Sequence, residues 1–338
     1  MHEIWELKQR QSLPLSAKIA LSLERIKEWY EFWGGQVYVS FSGGKDSTVL
    51  LHLVRSLYPE VPALFVDTGL EYPELKSFVK SIENVTTVRP DITFRNVIEK
   101  YGYPVIGKQQ ARAIRDLQNP TDKNIATRNL VLTGYTQNGT YAPSRKLANK
   151  WVYLKDAPFK ISEQCCDVMK KKPSYKYEKQ TGRKSFVGTM TCESSLREKE
   201  WLKHGCNAFD TKIQKSKPIS FWTEQDILKY IVLNDLPYAS VYGEIIGKFN
   251  NSNDILTAKE IKTLLECDRP FDDIRLVTTG ESRTGCVFCC FGVHLESEPN
   301  RFQRMKTTHP KLYEYCIKDW NSNGLGIGKV LDHINVNY

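Results

Sequence analysis

Residues Val39 to Val49 read VSFSGGKDSTV. Strand-forming residues run into Ser42, two glycines and Lys45, and an apolar helix pattern begins within the next turn. A strand that empties through glycine into a helix brings several backbone N–H groups and the positive end of the helix dipole to one point. Gly43 and Gly44 let the backbone approach an anion with no Cβ in the way. Lys45 adds a mobile positive charge, and Ser42, Ser47 and Thr48 add hydroxyl donors. The Walker A spacing GxxxxGK[ST] is absent. The stretch reads as a phosphate cradle of another kind, against the plainer alternative of a Gly-Ser turn ahead of a helix.

Strand and helix patterns alternate on both sides of it. Ile19, Leu23, Ile26 and Tyr30 share one face of a helix expected over Leu15–Trp33, closed by Gly34-Gly35. Strands are expected over Gln36–Phe41, Ala63–Val66 and Thr86–Val88, with helices over Ser47–Tyr58 and Glu74–Ile82. Ser185–Val187 resumes strand character and runs into Gly188. Thr223, with Asp226 three residues on, caps a helix reaching Leu233, and Leu256–Cys267 reads as another. This alternation predicts an α/β fold, a doubly wound and mostly parallel sheet. Gly107–Lys184 interrupts the pattern, and Cys286–His294 is a cysteine-rich loop ahead of a polar helical tail. The expected organisation is an N-terminal helical segment at 1–35 and an α/β domain at 36–245 with an insertion at about 107–184. A helical, cysteine-containing C-terminal region follows at 246–338.

The 338 residues are enough for a full core, and 41% hydrophobic with 26% charged residues is ordinary for a globular chain. No apolar run reaches the roughly 18 residues of a membrane-spanning helix. The start, MHEIWELKQRQ, lacks the apolar core of a signal peptide, so a cytoplasmic protein with no membrane partner is expected. The net charge of +9 is compatible with a polyanionic partner. Arg145–Lys184 holds twelve Lys or Arg against four Asp or Glu, with Trp151, Tyr153, Phe159, Tyr175, Tyr177 and Phe186 interleaved. Such a segment suits phosphate neutralisation and base stacking, or simply a solvated basic surface.

SGGKDS at Ser42–Ser47 resembles the pyrophosphate loop of the PP-loop ATP pyrophosphatase superfamily, whose adenine nucleotide alpha hydrolase-like fold is Rossmann-like. FVDTGLEYPE (Phe65–Glu74), GTMTCESSLR (Gly188–Arg197), KPISFWTEQDI (Lys217–Ile227), then LPY (Leu236–Tyr238) and Tyr242 resemble, in order, segments of the phosphoadenosine-phosphosulfate (PAPS) reductase family. The resemblance implies that Ser42, Gly43, Gly44, Lys45, Asp46 and Ser47 hold the pyrophosphate end of ATP, beside Gly188. It further implies catalytic roles for Lys45, Asp46, Asp67 and Arg197. Asp67 follows its strand where open α/β sheets place ligand contacts, and would meet ribose or Mg²⁺, or else only brace its turn. Arg197 would stand at the phosphate edge. Met190 occupies a position where the family often has Arg, so one anion contact is missing or supplied elsewhere.

Nine cysteines in a reducing compartment point to metal or thiol chemistry. Cys165-Cys166 followed far downstream by Cys286-Val287-Phe288-Cys289 resembles the CC…CxxC arrangement of iron–sulfur members of the family, where four thiolates hold a [4Fe–4S] cluster. Four thiolates would also suit structural zinc, the second choice of metal here, or stand as free or redox thiols. Cys267 or Cys290 could replace one ligand, and Cys192 falls inside a stretch resembling a substrate-contacting motif. The expected function is ATP pyrophosphatase activity: a substrate is adenylated, AMP and pyrophosphate form, and sulfur is transferred to nucleic acid, as in DNA phosphorothioation or tRNA thiolation. The implied partners are a cysteine desulfurase, other sulfur-transfer or defence-system subunits, and a second copy in a homodimer. APS/PAPS reduction is the alternative. Against it stand an intact ATP loop and a chain that ends LDHINVNY without the reductase Cys motif. A non-catalytic nucleotide-binding assembly subunit is a further alternative.

Overall fold

The computed structural model describes residues 2–267, 271 and 273–338. Contacts divide the chain into two compact units. One comprises Met1–Asp67, Glu71–Arg89 and Pro173–Gly285; the other comprises Thr68–Leu70, Pro90–Lys172 and Cys286–Tyr338. The described residues of 246–285, grouped with the C-terminal region on sequence, fall in the first unit.

The first unit is built on strands β1 (Val37–Ser40), β2 (Ala63–Val66) and β3 (Val85–Val88). Beyond the short β4 (Val105–Ile106), which belongs to the other unit, follow β5 (Lys184–Val187), β6 (Asn207–Ala208) and β7 (Lys215–Ser216). The sheet order is β3-β2-β1-β5-β7-β6. Every pairing is parallel except β6 with β7. Register is set by Val39 against Ala63 on one side and against Phe186 on the other. Val37, Tyr38, Val39, Ala63, Leu64 and Phe186 are buried. A strand covered on both faces has no use for alternation, which is why β1 and β2 read as continuous apolar runs. Strand order reverses between β1 and β5, and open α/β sheets bind ligands at the carboxyl ends flanking such a reversal.

Helices α1 (Ile4–Ser12) and α2 (Leu15–Phe32) precede the sheet, α3 (Lys45–Leu57) joins β1 to β2, and α4 (Pro73–Lys80) leads to β3. Helix α1 lies inside the helical segment expected over 1–35 but had no bounds of its own: it buries only Leu7, so its sequence carries no apolar stripe. Helix α2 is tied to the unit by a buried ion pair, Lys18 Nζ to Asp226 Oδ2 at 2.7 Å. Ser22 Oγ donates to Pro218 O at 3.0 Å and accepts from Trp222 Nε1 at 2.9 Å. Asp226 also closes the expected capping box with Thr223. The same unit carries an antiparallel sheet of β8 (Ile245–Phe249), β9 (Ile255–Leu256) and β10 (Ile274–Thr278), in the order β10-β8-β9.

The second unit is mostly helical. Segments at Lys108–Gln118 and Ile125–Thr133 are helices inside a stretch whose pattern looked broken. The first of them buries only Ala111, Ala113 and Ile114, too small a stripe to read as a period. Here β11 (Cys290–Phe291) pairs in parallel with β4, Cys290 against Val105. Among the described residues no helix is long and apolar enough to cross a membrane.

Candidate functional site

In the first unit the carboxyl end of β1 delivers Ser42–Ser47 to the start of α3, at the reversal of strand order. Gly43 has φ +75°, and a Cβ there would lie 2.8 Å from Val79 Cγ2, so glycine is required by both conformation and space. Ser47 Oγ donates to Gly44 O at 2.9 Å and accepts from Ser42 N at 3.2 Å, which closes the loop on itself. Gly188, at the end of β5, faces the same turn. A Cβ on it would stand 3.1 Å from Asp46 O. The two strand ends flanking the reversal therefore meet at the loop.

Lys45 is buried, and its ammonium is held inside the unit: Nζ lies 3.2 Å from Glu224 Oε1 and donates to Ser282 O at 3.0 Å. Tyr242 OH accepts from Lys45 N at 3.3 Å and shares a 2.5 Å hydrogen bond with Thr284 Oγ1. Burial pushes the Tyr242 phenol up to about 12, so it stays protonated and able to donate. Asp46 is raised by burial, an effect opposed by the charges of Lys45, Arg283 and Arg197.

Asp67, just past β2, is bracketed by cations: Oδ1 lies 2.7 Å from Lys76 Nζ and Oδ2 lies 3.1 Å from Arg89 Nε. Arg197 pairs with Glu193 four residues earlier, and the second oxygen of Glu193 pairs with Arg283. Met190 is buried; its backbone N–H donates to Glu193 Oε2 at 3.1 Å. Cys192 is exposed, with Sγ 3.6 Å from Trp222 O, and burial of its thiol raises its pKa.

In the second unit Cys165, Cys166, Cys286 and Cys289 line one cleft, together with Leu70, Phe94, Pro104, Met169 and Lys170. The downstream pair is anchored by backbone bonds, Val287 N to Leu70 O at 2.8 Å and Gly292 N to Ile106 O at 2.7 Å. Cys289 N donates to Cys286 O at 3.1 Å, the turn that CxxC spacing permits. Cys165 and Cys166 hold their sulfurs 4.0 Å apart. That contact and burial keep Cys165 protonated, while the same contact, with Lys108 and Lys170 nearby, favours the Cys166 thiolate. Burial and the neighbouring Cys286 push Cys289 up to about 11. Thiols that raise one another in this way ionise together only when a positive group arrives among them. Among the described residues no three His, Cys, Asp or Glu side chains are gathered closely enough to grip a single metal ion. Cys290 is buried on β11 and does not line the cleft, and Cys267 is exposed in the first unit.

The basic segment divides between the units, since Arg145–Lys172 belongs to one and 173–184 to the other. Trp151, Tyr177 and Phe186 are buried core residues and offer no face for stacking; Tyr153 and Tyr175 are exposed. Aromatic spacing alone did not separate core from surface in this stretch.

The Phosphoadenosine phosphosulfate reductase domain matches residues 36–117 and 135–289, well over half of the chain. The chain belongs to this family. It is 28% identical over 302 residues to an uncharacterized protein of Methanocaldococcus jannaschii. That match covers 88% of this chain and 51% of the relative, so the chain spans about half the relative's length. An adenosine 5'-phosphosulfate reductase of Staphylococcus haemolyticus is 22% identical over 231 residues, 65% of this chain and 70% of that one. Among solved structures, a phosphate complex of the PAPS reductase of Candida auris is similar at 14% identity and TM-score 0.36, covering 71% of this chain and 91% of that one. The FMN adenylyltransferase of Candida glabrata is similar at 12% identity and TM-score 0.38, covering 70% and 65%.

Three residues that sequence reasoning missed stand against the family's loop here: Glu224, Ser282 and Thr284. The last two lie some 240 residues downstream of the loop they touch. The one available signal was the polar run Glu281-Ser282-Arg283-Thr284 placed directly ahead of Gly285-Cys286.

Proposed function

We propose that this member of the family is a PP-loop ATP pyrophosphatase that adenylates a nucleic-acid substrate for sulfur transfer. The observation that carries this reading is the complete cradle at Ser42–Ser47, with buried Lys45 at the head of α3. Backbone N–H groups at that helix start, the ammonium of Lys45 and the hydroxyls of Ser42 and Ser47 would bind the β and γ phosphates and stabilise the pyrophosphate that leaves. An oxygen of the acceptor attacks the α phosphorus, the α–β bridge breaks, and the acceptor carries AMP. A sulfur nucleophile then displaces AMP. Mg²⁺ would arrive with the nucleotide, since the Asp67 carboxylate is already held by Lys76 and Arg89.

Cys165, Cys166, Cys286 and Cys289 would hold a [4Fe–4S] cluster. Four thiols lining one cleft supply the donor set that such a cluster takes. When bound, the cluster would supply thiolate-ligated iron for handling the transferred sulfur. Lys108 and Lys170 would offset its negative charge. The basic residues of 145–184 support a polyanionic acceptor.

Turnover tests the reading. Protein purified without oxygen is expected to contain about four irons per chain and to release AMP and pyrophosphate from ATP in the presence of the acceptor. A second reading, reduction of APS or PAPS, is favoured by the relatives named adenosine 5'-phosphosulfate reductase. Sulfite release from either sulfonucleotide with a thiol donor, and none of the ATP products, would replace the first reading with the second.

A further inference from the structure

Met190 removes a cation from the phosphate edge, and the fold brings another to it from a distant part of the chain. Residues 282–284 lie against the loop. Ser282 O takes a hydrogen bond from Lys45 Nζ, and Thr284 Oγ1 bonds the same Tyr242 hydroxyl that accepts from Lys45 N. Thr284 Oγ1 would stand 3.6 Å from a Cβ on Gly44. Arg283 sits between these two contacts. Its side chain is 63% exposed and pairs with Glu193. Its charge is felt at Asp46 in the loop and at Tyr242, which bonds the loop.

We propose that Arg283 is a phosphate-binding residue of this site, exchanging Glu193 for the polyphosphate chain of the nucleotide and supplying the cation that Met190 lacks; this rests on the ATP reading above. The pair it breaks joins an exposed Arg283 to a largely buried Glu193, so the exchange requires that Glu193 keep other partners. Glu193 is not orphaned, because Arg197 and the Met190 N–H still hold it. A planar guanidinium can grip two phosphate oxygens at once, which the single ammonium of Lys45 cannot.

Calorimetric titration of the full chain with inorganic pyrophosphate, ATP and adenosine tests this in wild type, Arg283→Ala and Arg283→Lys. Arg283→Ala is expected to weaken pyrophosphate and ATP by about tenfold or more while leaving adenosine within about twofold. Arg283→Lys keeps the charge but loses the fork, and should fall between. Pyrophosphate affinity unchanged in Arg283→Ala, or an equal loss for adenosine, makes Arg283 a structural clamp on Glu193 and overturns the proposal alone. Wild-type protein that binds neither pyrophosphate nor ATP overturns the ATP reading and the role of Arg283 with it.

Discussion

The two units build their candidate sites by opposite means. In the first, a regular strand, a glycine turn and a helix aim backbone donors at one spot, and side chains refine it. In the second, the start of a helix and a turn ahead of a two-residue strand bring four thiols to a cleft. The first site carries its own counter-ion in Glu224 and is electrostatically complete without a ligand. The second is uneven: burial and close sulfur contacts raise Cys165 and Cys289 while the Cys166 thiolate is favoured. Preorganisation by backbone suits an anion that comes and goes; a thiol cleft suits a metal group that stays.

The largest expected effect strikes the first site. Lys45→Ala should lower pyrophosphate release by about 10²–10³-fold, the range for losing one preorganised donor. Full turnover in that variant would remove the loop from the chemistry. Next, Cys286→Ser or Cys289→Ser should strip most of the iron and sulfide while ATP affinity in the first unit stays within about twofold. Equal loss of nucleotide binding would show that the units are not separate in the way their construction suggests.

A subtler effect concerns Asp46, whose pKa burial raises. An acid raised on folding binds its proton more tightly in the folded state, so its contribution to stability is present at low pH and lost as pH rises through the folded value. Asp46→Asn should therefore match or exceed the wild-type melting temperature by roughly 2–4 °C at pH 8, and the gain should shrink on acidification. A lower melting temperature across the whole range would mean that Lys45, Arg283 and Arg197 outweigh burial. The smallest effect belongs to Glu224→Gln. Releasing Lys45 from a half-exposed partner, in a pair worth about 0.2–1 kcal/mol, should tighten pyrophosphate binding by up to about fivefold. Weaker binding would make Glu224 a positioner of Lys45 rather than its competitor.

The contrast also explains what could be read in advance. Strands β1 and β2, helix α3, the cap at Thr223 and the loop itself were legible because each is a local pattern with a local cause. The grouping of the four cysteines came only through resemblance. Their meeting depends on Val105 pairing with Cys290 and Leu70 receiving Val287, contacts that no periodicity encodes. The segment 282–284 was invisible for the same reason. Its residues are polar, it forms no helix or strand of its own, and its partner lies far back in the chain. Trp151, Tyr177 and Phe186 erred the other way: as aromatic residues among lysines they suggested surface, yet they fill the interior.

The Lys18–Asp226 pair has a practical consequence for anyone cutting this gene. Both side chains are nearly excluded from water, at 3% and 10% exposure. A shortened version beginning at Gln36, where the sheet starts, would strand Asp226 as a buried charge and leave Trp222 Nε1 without Ser22. Stranding a buried charge costs about 3–5 kcal/mol, a large share of a typical domain's stability. Helix α2 is thus a keystone of the first unit, and any trimmed version should keep it whole.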